Sequence, residues 1–327
     1  MHSHLKTLRL SSHAQDLRKA ADMLRDSALV AFPTETVYGL GGDATSPQAV
    51  AGIFAAKGRP SFNPLIAHIA HMSLARREAV FDIRAEKLAE AFWPGPLTLV
   101  LLVAGGGQVC ELARAGLPSV AVRIPSHPIA LEILRDVKRP IAAPSANRSG
   151  KVSPTTAEHV LSDLDGRISA VVDGGPCQVG VESTILSCLN GQTVLLRAGG
   201  VTREDIEAVL GEKLVLPTHG ETEKPLAPGM LSSHYAPRAR VRLNATSIYP
   251  GEAALLFGAV KPKNIEQAVA VYNLSVSGDT LEAASHLFAA LRELDQSGAE
   301  VITVMPIPDQ GLGAAINDRL FRAAAER

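Results

Sequence analysis

Residues 28–42 are ALVAFPTETVYGLGG, and this stretch gives the clearest indication of the fold. The apolar run at 28–32 predicts a buried strand, and the segment before it, residues 11–27, places apolar side chains on one face of a predicted helix. Two hydroxyl groups, those of Thr34 and Thr36, follow directly at the strand exit. Such hydroxyls can bind a small polar ligand, although residues of this kind also simply stabilise turns.

The same alternation of short apolar strands and amphipathic helices continues along the chain. Ser46-Pro47 predicts a helix that ends at Lys57-Gly58, because serine caps helices, proline suits their first turn and glycine terminates them. Similar signals predict a helix opening at Ser153-Pro154 and another after Thr202, while residues 120–124, 170–172 and 194–197 predict strands. Together these elements predict an α/β protein.

Composition limits the classes of protein that this chain can belong to. A chain of 327 residues favours two domains. Its net charge of −1 gives no sign of the basic stripe of a tight nucleic-acid binder. Cys110, Cys177 and Cys188 lack the spacing of a disulfide framework or metal site. The apolar run at 97–104 is much shorter than the roughly 20 residues of a membrane helix, and we see no signal peptide, so we expect a cytoplasmic protein without membrane contact.

A change of composition divides the chain into three parts. Residues 217–237 are rich in proline, threonine and serine and show no hydrophobic periodicity, which is typical of a linker. We therefore predict domains at 1–211 and 239–327, joined by a linker at 212–238. In the second domain we expect strands at 253–257, 269–273 and 301–305, a helix at 280–296 and a last helix from about Ala314.

Two glycine motifs resemble nucleotide-binding fingerprints only in part. Gly39–Ala44 fits GxGxxA, but the acidic residue expected about 20 positions later is missing. Gly175 and Gly180 have the spacing of a phosphate-binding loop, but Val181 stands where that loop needs lysine. ATP, if it binds here, must bind without either standard motif.

Polar residues in apolar or turn-rich surroundings are better candidates for the chemistry. Lys57 and Arg59, framed by glycine and proline, suit a polyphosphate, because arginine offers a bidentate fork and lysine a point charge. Arg123 lies within a predicted strand, where an arginine needs a carboxylate from the protein or from a ligand. Ser153, at a predicted helix start, could bind an anion or could merely cap the helix.

Five segments in this order resemble the YrdC-like domain: PTETVYGLG from Pro33, KGRPSFN from Lys57, PSAN from Pro144, ESTI from Glu182 and LRAG from Leu196. The element PGM…HYAP between Pro228 and Pro237, and the extra domain after it, resemble the longer, two-domain threonylcarbamoyl-AMP synthases. The resemblance implies a twisted, largely open sheet with a central charged cavity, followed by a smaller, Rossmann-like α/β domain.

The resemblance also implies an activity and a set of site residues. The expected enzyme is a nucleotidyltransferase that converts L-threonine, bicarbonate and ATP, with Mg²⁺, into threonylcarbamoyl-AMP and pyrophosphate, the first step of a tRNA modification, N6-threonylcarbamoyladenosine. Threonine would be held by Thr36, His68, Arg123, Ala143 and Ser183. ATP would be held by Lys57, Arg59, Asn63, Ser119, Ser145, Ser153, Arg197, His234 and Tyr235, with Lys57 and Arg59 as catalytic cations, and the linker would close over the nucleotide. No protein-held metal is expected.

Alternatives remain open at this point. Glu35 or Glu182 could be a general base. The chain could instead use another carbamoyl-adenylate chemistry, as in hydrogenase maturation proteins, or be a non-catalytic, RNA-binding or translation-associated module, against which its charge balance argues. The expected partner is a threonylcarbamoyl transferase complex that acts on tRNA, and we expect a monomer. The C-terminal domain could regulate the enzyme, dock this partner or stabilise the fold.

Overall fold

The computed structural model describes residues 6–216, 228 and 234–325. The first part of the chain contains strands β1 Leu8–Leu10, β2 Val30–Pro33, β3 Tyr38–Asp43, β4 Ile66–His68, β5 Leu97–Leu102, β6 Ser119–Arg123, β7 Ile141–Ala142, β8 Ala170–Val172, β9 Thr184–Ser187 and β10 Val194–Arg197. Its helices are α1 Ala14–Arg25, α2 Pro47–Lys57, α3 Met72–Glu78, α4 Ile83–Phe92, α5 Pro128–Val137, α6 Ala157–Leu164 and α7 Arg203–Leu210.

These strands form one mixed sheet, which among the described residues has ten strands in the order β1-β8-β2-β3-β7-β4-β6-β5-β9-β10. The sheet contains parallel pairs, such as β1 with β8 and β4 with β6, and antiparallel pairs, such as β2 with β3. Most of the strands are buried throughout, including polar residues at their ends such as Asp43, His68 and Arg123. The α/β class and the large open sheet are confirmed.

Helix signals in the sequence are confirmed in part. Ser46 accepts a hydrogen bond from the backbone N–H of Ala49 at the start of α2, and Gly58 ends that helix in the left-handed region. Helix α6 differs from the prediction, because it begins at Ala157 and its cap is Thr156. Ser153 is therefore not at a helix N-terminus, and its hydroxyl instead donates to Glu182 Oε1 at 2.6 Å.

The glycines at 39–42 lie inside a strand. They belong to β3, which pairs with β2 so that Gly41 lies opposite Val30. A Cβ atom added at Gly41 would lie 2.6 Å from the Phe32 ring, so the glycine is required by a close packing contact. The segment is not a dinucleotide-binding turn.

The last part of the chain forms a second sheet. Strands β11 Arg240–Arg242, β12 Ala253–Leu256, β13 Ala270–Asn273 and β14 Val301–Val304 are arranged in the order β11-β14-β12-β13, with every pair parallel. A short 3-10 helix, Ile265–Gln267, precedes β13, and helices α8 Thr280–Gln296 and α9 Gly313–Ala324 complete the unit. Parallel strands joined through helices are the arrangement expected of the predicted Rossmann-like domain.

The two parts share a hydrophobic core. Val37, Val152 and Val181 from the first part pack in one cluster with Leu287 and Phe288 of α8. Most of the predicted linker at 212–238 lies outside the described residues, so its boundaries stay a prediction. Among the residues that the model describes, no helix is both long and apolar enough to cross a membrane.

Candidate active site

A small cavity lies between the strand ends of the large sheet, the segment before β9 and the second half of the predicted linker. Its volume is about 40 Å³, enough for a few water molecules only. The residues lining it are Thr34, Thr36, Val37, Gly39, Arg59, Ile66, His68, Arg123, Ala143, Pro144, Ser145, Glu182, Ser183, Arg197, Pro228, His234 and Tyr235. The central charged cavity implied by the sequence is thus present.

Most of the predicted site residues line this cavity. His68 and Arg123 are paired residues at the ends of the parallel strands β4 and β6. Ser183 immediately precedes β9, and Arg197 ends β10. The predicted residues that do not line the cavity are Lys57, Asn63, Ser119 and Ser153.

One region of the cavity is organised around Arg123. Its Nη2 donates to Glu35 Oε1 at 2.6 Å and its Nε donates to the Gly95 carbonyl at 3.2 Å, so the buried charge is compensated by a carboxylate of the protein. Burial and the charge of Arg123 lower the pKa of the neighbouring His68 to about 3, so its imidazole is neutral at pH 7. This region combines a fixed cation with a neutral ring.

A second region contains two further buried guanidinium groups. Arg59 donates to the carbonyls of Asn63 and Pro64, at 3.3 and 2.9 Å. Burial and the charge of Arg197 lower the pKa of Arg59 to about 10, which leaves it protonated at pH 7. Arg197 donates to the Ser183 carbonyl through Nε and Nη2 and to the Ser183 hydroxyl at 3.2 Å. Cations held this rigidly can bind an anion without reorganising.

Lys57 lies at the helix end that the sequence predicted, but it does not line the cavity. It is the last residue of α2, it is buried, and its Nζ donates to the carbonyls of Ser145 and Asn147 at 2.5 Å each. Burial and the nearby Arg59 lower the pKa of its ammonium group. Lys57 therefore holds the Ser145 loop in place beneath the cavity.

Ser119 and Asn63 are two further predicted ATP ligands that do not line the cavity. Ser119 begins β6, at the opposite end from Arg123. The side-chain oxygen of Asn63 is buried and finds no hydrogen-bond partner among the described residues. Such an orphan acceptor is commonly satisfied by a water molecule or a ligand.

The cavity also contains a carboxylate whose environment the sequence did not reveal. Glu182 Oε1 accepts the Ser153 hydroxyl, and its Oε2 accepts from Arg319 Nε at 2.9 Å. Burial alone would raise the pKa of Glu182, but the charges of Arg319 and Arg197 outweigh it and lower the pKa to about 2. A carboxylate held ionised in this way is a poor proton acceptor, which argues against Glu182 as a general base.

Arg319 itself was missed by sequence reasoning, although a signal was present. Helix α9 buries Ala315, Ile316, Leu320 and Ala323, and Arg319 lies on the same face. A charged residue on the apolar face of an amphipathic helix needs a buried partner, which here is Glu182.

Comparison with known proteins covers both parts of the chain. Residues 22–199 match the Sua5, YciO and YrdC family model described as "Telomere recombination", and residues 201–325 match "Threonylcarbamoyl-AMP synthase, C-terminal domain". The chain belongs to the threonylcarbamoyl-AMP synthase family.

Relatives within this family match almost the whole chain. The threonylcarbamoyl-AMP synthase of Bacillus subtilis is 43% identical over 97% of this chain and 95% of its own length. That of Pyrococcus abyssi is 42% identical over 95% of this chain and 94% of its own. The resemblance found in the sequence is therefore confirmed at the level of the family.

Solved structures agree with the fold. The crystal structure of Pyrococcus abyssi Sua5 complexed with L-threonine superposes with a TM-score of 0.88 at 40% identity, covering 97% of each chain. Escherichia coli YciO shares 19% identity, with a TM-score of 0.54 over 59% of this chain and 95% of its own, and supports only the fold of the first part.

Proposed function

We propose that this chain is an L-threonylcarbamoyladenylate synthase, which joins L-threonine, bicarbonate and ATP into threonylcarbamoyl-AMP and pyrophosphate. The observation that carries the proposal is one cavity in which Arg123 and His68 lie near the guanidinium groups of Arg59 and Arg197. A zwitterionic amino acid and a polyphosphate need binding groups of these kinds. Full-length similarity to synthases of this name supports the same activity.

L-Threonine would bind beside Arg123. Within the described residues the Nη1 group of Arg123 has no hydrogen-bond partner, whereas Glu35 and Gly95 fix the other two nitrogens. The free group could donate to the carboxylate of the amino acid without changing the orientation of the guanidinium. Neutral His68, Thr36, Ala143 and Ser183 would enclose the amine and the side chain.

ATP would bind beside Arg59 and Arg197. Both guanidinium groups are fixed by backbone carbonyls before any ligand arrives, so they can stabilise the charge that develops as pyrophosphate departs. Lys57 would contribute by fixing the Ser145 loop and by its charge, and Asn63, Ser119 and Ser153 remain predicted ligands of ATP.

Magnesium would arrive with the nucleotide. Within residues 6–216, 228 and 234–325, no group of three or more His, Cys, Asp or Glu side chains could hold a metal ion. Among these residues the carboxylate that lines the cavity is Glu182, and it already accepts hydrogen bonds from Ser153 and Arg319. These residues fit a Mg²⁺ ion whose ligands are mainly phosphate oxygens and water, which is its usual mode with nucleotides. When bound, the ion neutralises phosphate charge.

The reaction would proceed in two steps. The neutral amine of threonine attacks the carbon of bicarbonate, and the proton and hydroxide that are lost leave together as water, giving a carbamate. A carbamate oxygen then attacks the α-phosphorus of ATP, and the bond to the bridging oxygen breaks as pyrophosphate leaves. This transfer of a nucleotidyl group makes the enzyme a nucleotidyltransferase. Its arginines orient the anions and stabilise developing charge.

The end of the linker would act as a cover. Pro228, His234 and Tyr235 line the cavity, whose volume of about 40 Å³ is too small for ATP and threonine together. Opening at this side would admit the substrates, and closure would protect the carbamate from water. We further propose that the enzyme is a cytoplasmic monomer and passes its labile product to a threonylcarbamoyl transferase complex acting on tRNA.

Incorporation of labelled bicarbonate into a nucleotide product, with release of pyrophosphate, tests the proposed activity. Product should form only with ATP, Mg²⁺ and L-threonine, and serine or glycine should be poor replacements. ATP binding without product from any amino acid would contradict the proposal. Sedimentation of the purified chain would test the monomer.

A further inference from the structure

The C-terminal domain places one fully buried arginine against the cavity wall. Arg319 of α9 is 0% exposed. Its Nε donates to Glu182, and its Nη1 donates to the Ala198 carbonyl at 2.6 Å. Glu182 immediately precedes the cavity residue Ser183, and Ala198 immediately follows Arg197, so one side chain contacts the neighbours of two cavity residues.

The same arginine also lies against the cover of the cavity. Its guanidinium carbon is 5.4 Å from the centre of the Tyr235 ring. The Tyr235 ring also stacks with Phe288 of α8, with ring centres 5.6 Å apart and planes inclined by 23°. Tyr235 also lies edge-on to the neighbouring His234 ring, with centres 4.1 Å apart, so the contacts that the C-terminal domain supplies are the stacking with Phe288 and the cationic contact with Arg319.

Tyr235 needs such support, because its backbone is strained. Its φ is +61°, a conformation that non-glycine residues adopt only at a cost in free energy. The hydrogen bond from the Ala236 N–H to the Gly150 carbonyl, 2.8 Å long, fixes the chain on the far side of this residue. The contacts with Phe288 and Arg319 offset the strain and hold the ring over the cavity.

A role limited to joining the domains explains Arg319 less well. The Nη2 group of Arg319 is buried without a hydrogen-bond partner among the described residues, which destabilises the fold relative to apolar packing. A second ion pair, between Arg292 and Asp163 at 2.7 Å, already connects the two parts of the chain, and neither residue lines the cavity. The Nε of Arg292 is also buried without a hydrogen-bond partner among the described residues, so what distinguishes Arg319 is that its partners Glu182 and Tyr235 line the cavity.

We propose that the C-terminal domain is a positioning device for the nucleotide site, in which Arg319 and Phe288 hold Tyr235 over the cavity and Arg319 orients Glu182. Arg319 and Phe288 are positioning residues, since they act through Tyr235 and Glu182. The inference deepens the proposed function, on which it rests, and assigns the C-terminal domain a part in ATP binding.

Calorimetric binding of a non-hydrolysable ATP analogue to the full chain provides the test. In Arg319→Lys, which keeps the charge but changes the geometry, we expect analogue affinity to fall about tenfold, while L-threonine affinity changes less than twofold. Arg292→Lys is the matched control and should leave both affinities unchanged. Equal effects of the two variants, or parallel losses of ATP and threonine affinity in Arg319→Lys, would overturn the proposal.

A second variant keeps the test decisive if Arg319→Lys does not fold. Phe288→Leu leaves every charge at the cavity in place, keeps an apolar side chain in the shared core and removes the ring that stacks on Tyr235, so it should also weaken the analogue and spare threonine. Normal analogue affinity in Phe288→Leu would overturn the proposal. Because the readout is binding, a wild-type chain that binds the analogue but makes no product would contradict the proposed function alone.

Discussion

Replacing Gly180 by alanine should weaken the packing of the first part of the chain against helix α8. The resulting loss of stability should exceed the cost of a left-handed alanine backbone alone. Gly180 has φ +75°, and a Cβ atom added there would lie 2.3 Å from the Ala284 carbonyl oxygen and 2.4 Å from the Ser285 Cα of helix α8. Both neighbours are backbone atoms, so no side-chain rotation can relieve the contact. Helix α8 would have to move.

The expected decrease in the free energy of unfolding of Gly180→Ala has two contributions. Alanine in a left-handed conformation costs about 1–2 kcal/mol, and overpacking against a fixed backbone adds about 1–3 kcal/mol. Gly175 provides the matched control, because its φ is +79° and a Cβ added there meets nothing within 4 Å. Gly175→Ala should therefore show the backbone cost alone.

Thermal unfolding of both variants measures the difference. Gly180→Ala should unfold at a lower temperature than Gly175→Ala, by roughly 2–12 °C for a difference of about 1–3 kcal/mol. Displacement of α8 would also move Phe288, so analogue binding should weaken in Gly180→Ala. Equal melting temperatures would refute the close packing of Gly180 against α8.

Three further predictions concern single cavity groups. The pKa of Glu182 is lowered from 4.5 to about 2, so the stability that its charge contributes should be complete above pH 4.5 and should disappear as the pH falls towards 2. Midpoints of urea unfolding should therefore vary less with pH in this window for Glu182→Gln than for the wild type. Equal slopes of midpoint against pH would contradict this. Arg123→Lys loses the planar fork that bridges Glu35 and Gly95, so calorimetry should show L-threonine affinity reduced about tenfold or more; unchanged affinity would exclude Arg123 as the carboxylate ligand. Lys57→Met leaves the Asn147 carbonyl without its donor and the Ser145 carbonyl with only the Asn147 N–H, so it should lower the free energy of unfolding by about 1–3 kcal/mol in urea, whereas wild-type stability would show that Lys57 has no structural role.

Local signals predicted individual elements well. The strands at 170–172 and 194–197 and the helix at 280–296 have the bounds that periodicity indicated. The predicted helix start after Thr202 is also confirmed, since the Thr202 side chain accepts from the Asp205 N–H in the first turn of α7. In each case the residues that determine the element, its capping residue and its pattern of apolar side chains, lie within the element or next to it.

Errors arose where distant contacts outweigh local preference. Serine followed by proline at 153–154 is a strong helix start, yet Ser153 binds Glu182 and the helix begins three residues after Pro154. Gly41 of β3 has low strand propensity, and its close approach to Phe32, whose ring lies 2.6 Å from where a Cβ would be, is a contact that the local sequence does not show. The secondary-structure propensity of a short segment does not include either of these contacts with residues elsewhere in the chain.

The candidate site was predictable as a set of residues but not as a geometry. Resemblance supplied most of the residues that line the cavity, and the need of Arg123 for a carboxylate was visible from its position in a strand. That Glu35 is this carboxylate, 88 positions away, and that Glu182 pairs with Arg319, 137 positions away, depends on how strands and helices assemble.

The pairing of β1 with β8 sets an order in which the chain can fold on the ribosome. Leu8 lies beside Ala170, so the amino-terminal strand must wait for its neighbour through about 8–32 s of synthesis at 5–20 residues per second. The cavity wall waits longer, because Arg319 follows its partner Glu182 by 137 residues. Nascent chains therefore expose the unpaired edge of β1 until β8 has been made, and Glu182 lacks its ion-pair partner until Arg319 follows.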